Sequence, residues 1–409
     1  MNVEELVRES LREQAEQGGP VPGDFADRVL AARRRRRNRT IAGASLAVAA
    51  ATVLAVAVPG LDGDSGRQET RTASELRDGD VVAHPGQTPP RDLIAAGGTA
   101  LAAYYTQERV PRGKGVEIGT RTYRLLDQRT GTYKKDARWS VLAVAPGMRT
   151  AAVLERKLPA RRIGLLDMVT GEVERWIGTP RGAGGVEFSP DGGKLVVTTY
   201  EESPDRFDME HPMSDGKTTE PGPAAPSRTG FYVIDVASGD SDWNAVETES
   251  VEMGLPSINT RQDFGFSEDG SLVYSGLTSG KHPMRYYDLT GRRASTPAKE
   301  KHRHWMNEAG LSPSGKLLDG GFAGGAKTTA TAVLDPATGR TVRKVPGQML
   351  LAWADDRRLI AWDIASGGSE YRQRLVLVTI GSKKTVPLSG YRTDSLKSTG
   401  RWHPVFADR

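Results

Sequence analysis

One short phrase recurs six times from about residue 90 onward: a hydrophobic strand, a turn written with Asp or Pro plus Gly, and a second strand ending in small or aromatic residues. Its fullest copies are Phe188-Ser189-Pro190-Asp191-Gly192-Gly193-Lys194-Leu195-Val196-Val197, Phe266-Ser267-Glu268-Asp269-Gly270-Ser271-Leu272-Val273-Tyr274 and Leu311-Ser312-Pro313-Ser314-Gly315-Lys316-Leu317-Leu318, with weaker copies starting at Leu93, Val141 and Leu350. A second series interleaves with the first, its turns spaced Asp127 to Gly131, Asp167 to Gly171, Asp235 to Gly239, Asp288 to Gly291 and Asp335 to Gly339, with a degenerate sixth at Ile380-Gly381-Ser382-Lys383. Asp can accept from the backbone two residues on, and Gly takes the positive φ that closes a tight turn. A four-stranded unit repeated at roughly 40–50 residues cannot bury its faces alone and must stack on copies of itself around an axis. The chain is therefore expected to be all-β: a six-bladed β-propeller, seven being the alternative count, with Asp191, Gly192, Asp269, Gly270 and Gly315 as blade-turn residues.

Ahead of this body, Arg33, Arg34, Arg35, Arg36, Arg37 and Arg39 stand directly before residues 40–58, an uncharged stretch dominated by Ala, Val and Leu. At 1.5 Å per residue, about 19 residues cross a hydrocarbon core. Arginines on the near side orient the helix with its N-terminus in the cytoplasm, which places the propeller outside. Ala55-Val56-Ala57 has the form of a signal-peptidase site, but the long preceding segment and the length of the apolar run favour an uncleaved anchor. The organisation expected is a cytoplasmic helical segment over 1–39, a transmembrane helix over 40–58, a flexible linker over 59–79 and an extracytoplasmic propeller over 80–409 with a mobile insertion at 201–229.

The formal net charge of +5 has to be located before it is read. Residues 33–39 contribute six positive charges, while the body beyond residue 59 mixes both signs almost evenly. The arginine run suits membrane topology and anionic headgroups rather than nucleic acid. With Cys 0, disulfides, thiolate metal sites and cysteine nucleophiles are excluded. Val3, Leu6, Val7 and Leu11 share one helical face, and Phe25, Val29 and Leu30 share another. Two such helices have no core of their own, so they expect a partner, the membrane surface or each other.

The Phe-Ser-Pro-Asp-Gly turn at 188–192 and its degenerate copies make residues 90–390 resemble TolB-like and WD-repeat propellers, in which such a turn joins the two inner strands of a blade. The Gly-His and Trp-Asp pairs of WD repeats are absent as a repeating set. The arginine-rich juxtamembrane run, high Ala and Gly and lack of cysteine resemble membrane proteins of actinobacterial type.

Chemistry-bearing patterns each have a plainer reading. Gly321-Phe322-Ala323-Gly324-Gly325-Ala326-Lys327-Thr328 is followed by strand rather than a helix N-terminus, so no phosphate cradle is expected. Ser189-x-Asp191-x-Gly193 resembles a sialidase Asp-box but lacks its aromatic residue. His302-x-His304 has no third ligand nearby, and Glu201, Glu202, Asp205, Asp208, Glu210, His211 and Asp215 fit no calcium-loop spacing. Trp139, Trp176 and Trp353 read as packing residues in strands. No catalytic set, metal or cofactor is expected, and the reading is a protein-interaction or ligand-sensing module rather than an enzyme. Its expected partners are membrane lipid around 40–58, a protein or small ligand on the propeller and a cytoplasmic regulator held by 1–39, with no nucleic acid. Two alternatives remain open: a transmembrane regulator resembling anti-sigma factors in layout, and a propeller hydrolase or lactonase with convergent carboxylates or a metal at the channel. Ring closure is expected from either Asp80-Val81-Val82-Ala83 or Trp402-His403-Pro404-Val405-Phe406.

Overall fold

The computed structural model describes residues 80–409 except 215–218, 247, 249–260, 277–283, 305–306, 326–328, 367–368 and 394–400. The helical segment, arginine run, membrane span and linker predicted over 1–79 lie outside the described residues, among which no helix is long and apolar enough to cross a membrane.

The described chain is all-β. Strands β1 (Val81–Val82), β2 (Ala95–Ala96), β3 (Thr99–Gly113), β4 (Val116–Asp127) and β5 (Thr132–Asp136) begin the first sheet. A second meander follows as β6 (Trp139–Val144), β7 (Thr150–Glu155), β8 (Ala160–Asp167) and β9 (Val173–Phe188). Long β9 serves twice, pairing Val173 to Gly178 with β8 and Ala183 to Phe188 with β10 (Lys194–Tyr200). The third meander continues, after β11 (Arg206–Ser214) and β12 (Thr219–Pro223), with β13 (Arg228–Asp235) and β14 (Ser241–Ala245). Three more sheets comprise β15 (Phe264–Phe266) to β18 (Arg293–Ala294), β19 (Leu318–Phe322) to β21 (Thr341–Pro346), and β22 (Met349–Trp353) to β25 (Thr385–Pro387). The sheet of β19 to β21 gains a short inner edge from a bridge between Leu311 and Leu318.

The last strand, β26 (Trp402–Asp408), does not extend the last sheet. It returns to β3, pairing Trp402 with Thr106 through to Asp408 with Thr99. Of the two closure candidates, the C-terminal one takes this edge, while Val81 and Val82 pair with β2 and His84 bridges Ser389. An edge that would expose unpaired N–H and C=O groups is thus covered from within the chain.

The core lies between sheets rather than within one layer. One apolar cluster joins Ala100, Ala102 and Tyr105 to Trp139, Leu142 and Val153; the next joins Leu154, Ile163 and Leu165 to Phe188, Leu195 and Ile234. Val196 and Phe231 meet Phe264 and Val273, and Val333 and Val345 meet Trp353 and Leu359. Leu351, Ile360 and Trp362 of the last sheet then pack on Ile94, Leu101 and Tyr104 of the first. Alanines on the buried strands keep these sheets close, and stiff β-branched residues and aromatics fill the space between them. The succession of antiparallel meanders, each packed on the next and the last on the first, is consistent with a propeller. A two-layer sandwich would instead pair two opposed faces.

Between the sheets of β15–β18 and β19–β21 the contact is polar. Arg303 Nη1 reaches Glu268 Oε1 at 3.0 Å and Glu300 Oε2 at 3.1 Å, and Tyr286 donates to Glu300 Oε2 at 2.9 Å.

Residues 201–229, expected to be a mobile surface loop, contain a hairpin. Strands β11 and β12 pair with each other, and Arg206 and Phe207 pair with Ile118 and Glu117 of β4. Low mean hydropathy conceals a few anchors: Phe207 is buried beneath the Arg109 guanidinium, 4.0 Å from its ring centroid, and Ala224 is buried beside it.

Candidate functional site

In each antiparallel meander the first and third connections share one end of the sheet and the second lies at the other. The two ends differ in chemistry.

The first end is built from tight turns. Asp191 Oδ1 accepts from Ser189 Oγ at 2.5 Å and from Gly193 N at 2.9 Å, and Gly192 has φ 73°. Asp269 Oδ1 accepts from Ser267 Oγ at 2.6 Å and Ser271 N at 3.0 Å, next to Gly270 at φ 71°. Gly315, φ 66°, closes the turn in which its N–H donates to Ser312 O at 2.7 Å. The Ser189 hydroxyl and Gly193 amide hold the Asp191 carboxyl below the usual carboxylate range, and local donors do the same for Asp235 and Asp335. Neighbouring turns touch: Gly147 N donates to Asp408 O at 2.9 Å, Ser314 N to Asp356 Oδ1 at 2.8 Å, and Gly98 N to Ala354 O at 2.9 Å.

At the second end, three long or charged connections converge: the β3–β4 hairpin, the β7–β8 turn and the segment after β10. Asp205 is buried between two arginines. Arg121 Nη2 lies 2.6 Å from Asp205 Oδ1, while Arg261 donates from Nε to Oδ1 at 2.7 Å and from Nη2 to Oδ2 at 2.5 Å. Arg121 also donates to Ser140 O at 2.6 Å, and Arg261 to Gly184 O at 2.5 Å and Asp263 Oδ2 at 3.2 Å. Tyr200 donates to the other Asp263 oxygen at 2.6 Å. Burial opposes the charge on Arg261, but Asp205 and Asp263 beside it raise its pKa; burial and Asp263 together hold the Tyr200 phenol well above its ordinary value. This cluster ties three sheets together through side chains far apart in sequence. The Asp205 segment lies against β4, where Gly119 N donates to Asp205 O at 2.8 Å.

Outside that cluster opens a cleft of about 500 Å³, lined by Arg112, Thr120, Arg121, Arg156, Lys157 and Ser203 among others. Inside it, a cavity of about 30 Å³ lies between Tyr105, Arg121, Glu187, Arg261, Asp263 and Val405, residues of several inner strands. That volume has room for about one water. The carboxylates converging there are engaged, Asp263 by Arg261 and Tyr200, and Glu187 by the Phe266 amide at 3.2 Å.

The remaining sequence candidates are scattered. Among the described residues no group of three or more His, Asp or Glu is arranged to hold a metal. Burial lowers the pKa of His304. Of the acidic set, Glu202 pairs with Arg206 at 2.5 Å and Asp208 with Arg206 at 3.6 Å, whereas Asp205 serves the arginine cluster. Trp139 and Trp353 are buried, but Trp176 is 37 % exposed with the Arg162 guanidinium stacked 4.0 Å from its ring centroid. Sequence reasoning missed Arg121 and Arg261. The available signal was alternation: Gly119, Arg121 and Tyr123 occupy successive inward positions of β4, so the arginine stands where an apolar residue belongs.

No protein-family model matches the chain, and no curated protein matches it in sequence. Among solved structures it is similar to TolB from Acinetobacter baumannii, at 16 % identity and TM-score 0.32 over 70 % of this chain and 67 % of that one. It is also similar to the β-propeller domain of Myceliophteria thermophila Cps50 (Swd1), at 12 % identity and TM-score 0.36 over 72 % and 88 %. A third likeness is to Pyrococcus horikoshii acylaminoacyl peptidase, at 12 % identity and TM-score 0.36 over 73 % and 47 %. At these scores the fold rests on strand pairing and packing, not on the likenesses.

Proposed function

We propose that this chain is a membrane-anchored, extracytoplasmic six-bladed β-propeller that works as a protein-interaction or ligand-sensing module. The observation that carries this reading is the asymmetry of its two ends: one is sealed by self-satisfied turns, while the other gathers the long β3–β4 hairpin, the insertion after β10 and the basic β7–β8 turn around an open cationic cleft. Binding surfaces on rigid scaffolds are built from such elaborated connections. Six blades are supported by six inner edges: β26, β6, the second half of β9, β15, residue Leu311 and β22. Anchoring is supported by Arg33 to Arg39 followed by the uncharged span 40–58. Engagement of the axial carboxylates by arginine, tyrosine and backbone donors supports binding over hydrolysis at the channel.

Protease treatment of intact and permeabilised cells tests the reading. A fragment containing residues 80–409 should be released from membranes of intact cells by cleavage in 59–79. Recovery of the whole chain in the soluble cytosolic fraction would sink it.

A further inference from the structure

We propose that the cleft between the β3–β4 hairpin, the β7–β8 turn and the Ser203 to Asp205 segment binds a small, multiply charged anion of the phosphate-ester class. The inference rests on the reading of this propeller as a ligand-binding module and adds the site and the chemistry.

Charge around the cleft is unbalanced. Arg112, Arg156 and Lys157 form no salt bridge among the described residues. Of the nearby carboxylates, Glu117 lies 3.9 Å from Arg109, Glu155 2.9 Å from Arg162 and Glu202 2.5 Å from Arg206, while Glu108, opposite Thr120 on β3, is outside the cleft lining. Asp205, which also lines the cleft, has both oxygens committed to Arg121 and Arg261. Arg112, Arg156 and Lys157 thus share a space whose one lining carboxylate, Asp205, is committed to other arginines.

Two of the cationic groups on the cleft are positioned rather than waving in solvent. Arg156 Nη1 donates to Ala137 O at 2.8 Å and Arg121 O at 3.5 Å, which orients the guanidinium and leaves Nε and Nη2 without partners among the described residues. Arg121 is 1 % exposed, and its Nε has no hydrogen-bond partner. The Nε and Nη2 groups of Arg156 are therefore donors for an anionic oxygen, and buried Arg121 adds positive charge behind the cleft.

The volume of about 500 Å³ falls within the ordinary range for small-molecule sites. A monocarboxylate would leave most of the positive charge unmatched. A phosphate monoester or a diphosphate carries about two to three charges on one or two adjacent centres, accepted by planar arginine forks and a lysine point charge together.

The test titrates inorganic pyrophosphate into the full chain, purified in uncharged detergent at low ionic strength, by calorimetry. Saturable one-to-one binding is expected, weakened at least tenfold in Arg156→Ala/Lys157→Ala with an unchanged melting temperature, and unaffected in Arg340→Ala/Arg343→Ala on a distant strand and turn. Absence of saturable binding, or equal weakening by the distant pair, overturns the proposal. Competition by glycerol phosphate alone assigns a soluble ester as the source, and competition by short-chain phosphatidylglycerol assigns a lipid headgroup; both support the site. Protease accessibility of the same variants in intact cells is read separately. A propeller facing the cytosol sinks the functional reading without touching the titration, and an outward-facing one that binds no pyrophosphate sinks only the anion site.

Discussion

The two ends of this protein are held together by different kinds of contact. At the turn end, each turn's own carboxyl and hydroxyl find partners two to five residues away, as Asp191 does with Ser189 and Gly193, and Ser189 does with Lys194 N at 2.9 Å, and only single hydrogen bonds such as Ser314 N to Asp356 link one turn to the next. At the cleft end the partners of Asp205 stand 84 and 56 residues distant. The turn aspartates reach solvent and local donors favour their charge, whereas Asp319, buried between the fourth and fifth sheets, has its carboxyl pushed up to about 7 by burial. The difference teaches that one end is assembled strand by strand, while the other exists only when separate sheets have met.

Three measurements sharpen or break this contrast. The largest effect is expected from Asp205→Ala, which leaves Arg121 and Arg261 as buried charges without their shared counter-ion. Breaking a buried pair from one side costs roughly 3–5 kcal/mol. Urea unfolding should show a loss of that size; a change no larger than that of a surface substitution would mean the cleft end does not depend on its long-range charges.

Second comes pH. Because the folded pKa of Asp319 lies above its unfolded value, the native state holds the proton more tightly. Its contribution to stability is full below the unfolded carboxylate range and is lost as pH rises through about 7, a change on the order of 4 kcal/mol. Asp191, Asp235 and Asp335 have lowered pKa values and act with the opposite sign, adding stability above the unfolded range that is lost as pH falls. Thermal melts from about pH 4.5 to about 8, the range over which the Asp319 carboxyl titrates, should decline in the parent protein and flatten in Asp319→Asn, which keeps an acceptor for the Ala309 amide at 2.8 Å. An unchanged slope would place the buried proton elsewhere.

The smallest effect is expected at the turn end. Asp191→Ala removes two local hydrogen bonds in a partly exposed turn, at about 1 kcal/mol, read as a small drop in the urea midpoint. A loss rivaling that of Asp205→Ala would erase the distinction between the ends.

How much was legible follows from the same contrast. The all-β character and the interleaved turn series could be read because they depend on residues a few positions apart: a carboxyl or hydroxyl that reaches the backbone, and a glycine free to take positive φ. The docked hairpin within residues 201–229 was hidden because its composition is polar and its anchors are few, the largest being Phe207, whose cover comes from Arg109. Asp205 was visible as an acidic residue but not as the counter-ion of two buried arginines, since nothing in its neighbourhood names Arg121 or Arg261.

By itself the sequence determined the repeating strand–turn–strand grammar, since side-chain-to-backbone hydrogen bonds and left-handed glycines act within one turn and need no distant partner. Only the tertiary structure decided that β26 rather than the N-terminal segment covers the edge of β3, that the insertion docks on β4, and that four basic side chains share one cleft. Those outcomes depend on where the chain returns after dozens or hundreds of residues, and burial, which makes the resulting charge pairs matter, does not exist until the sheets have packed.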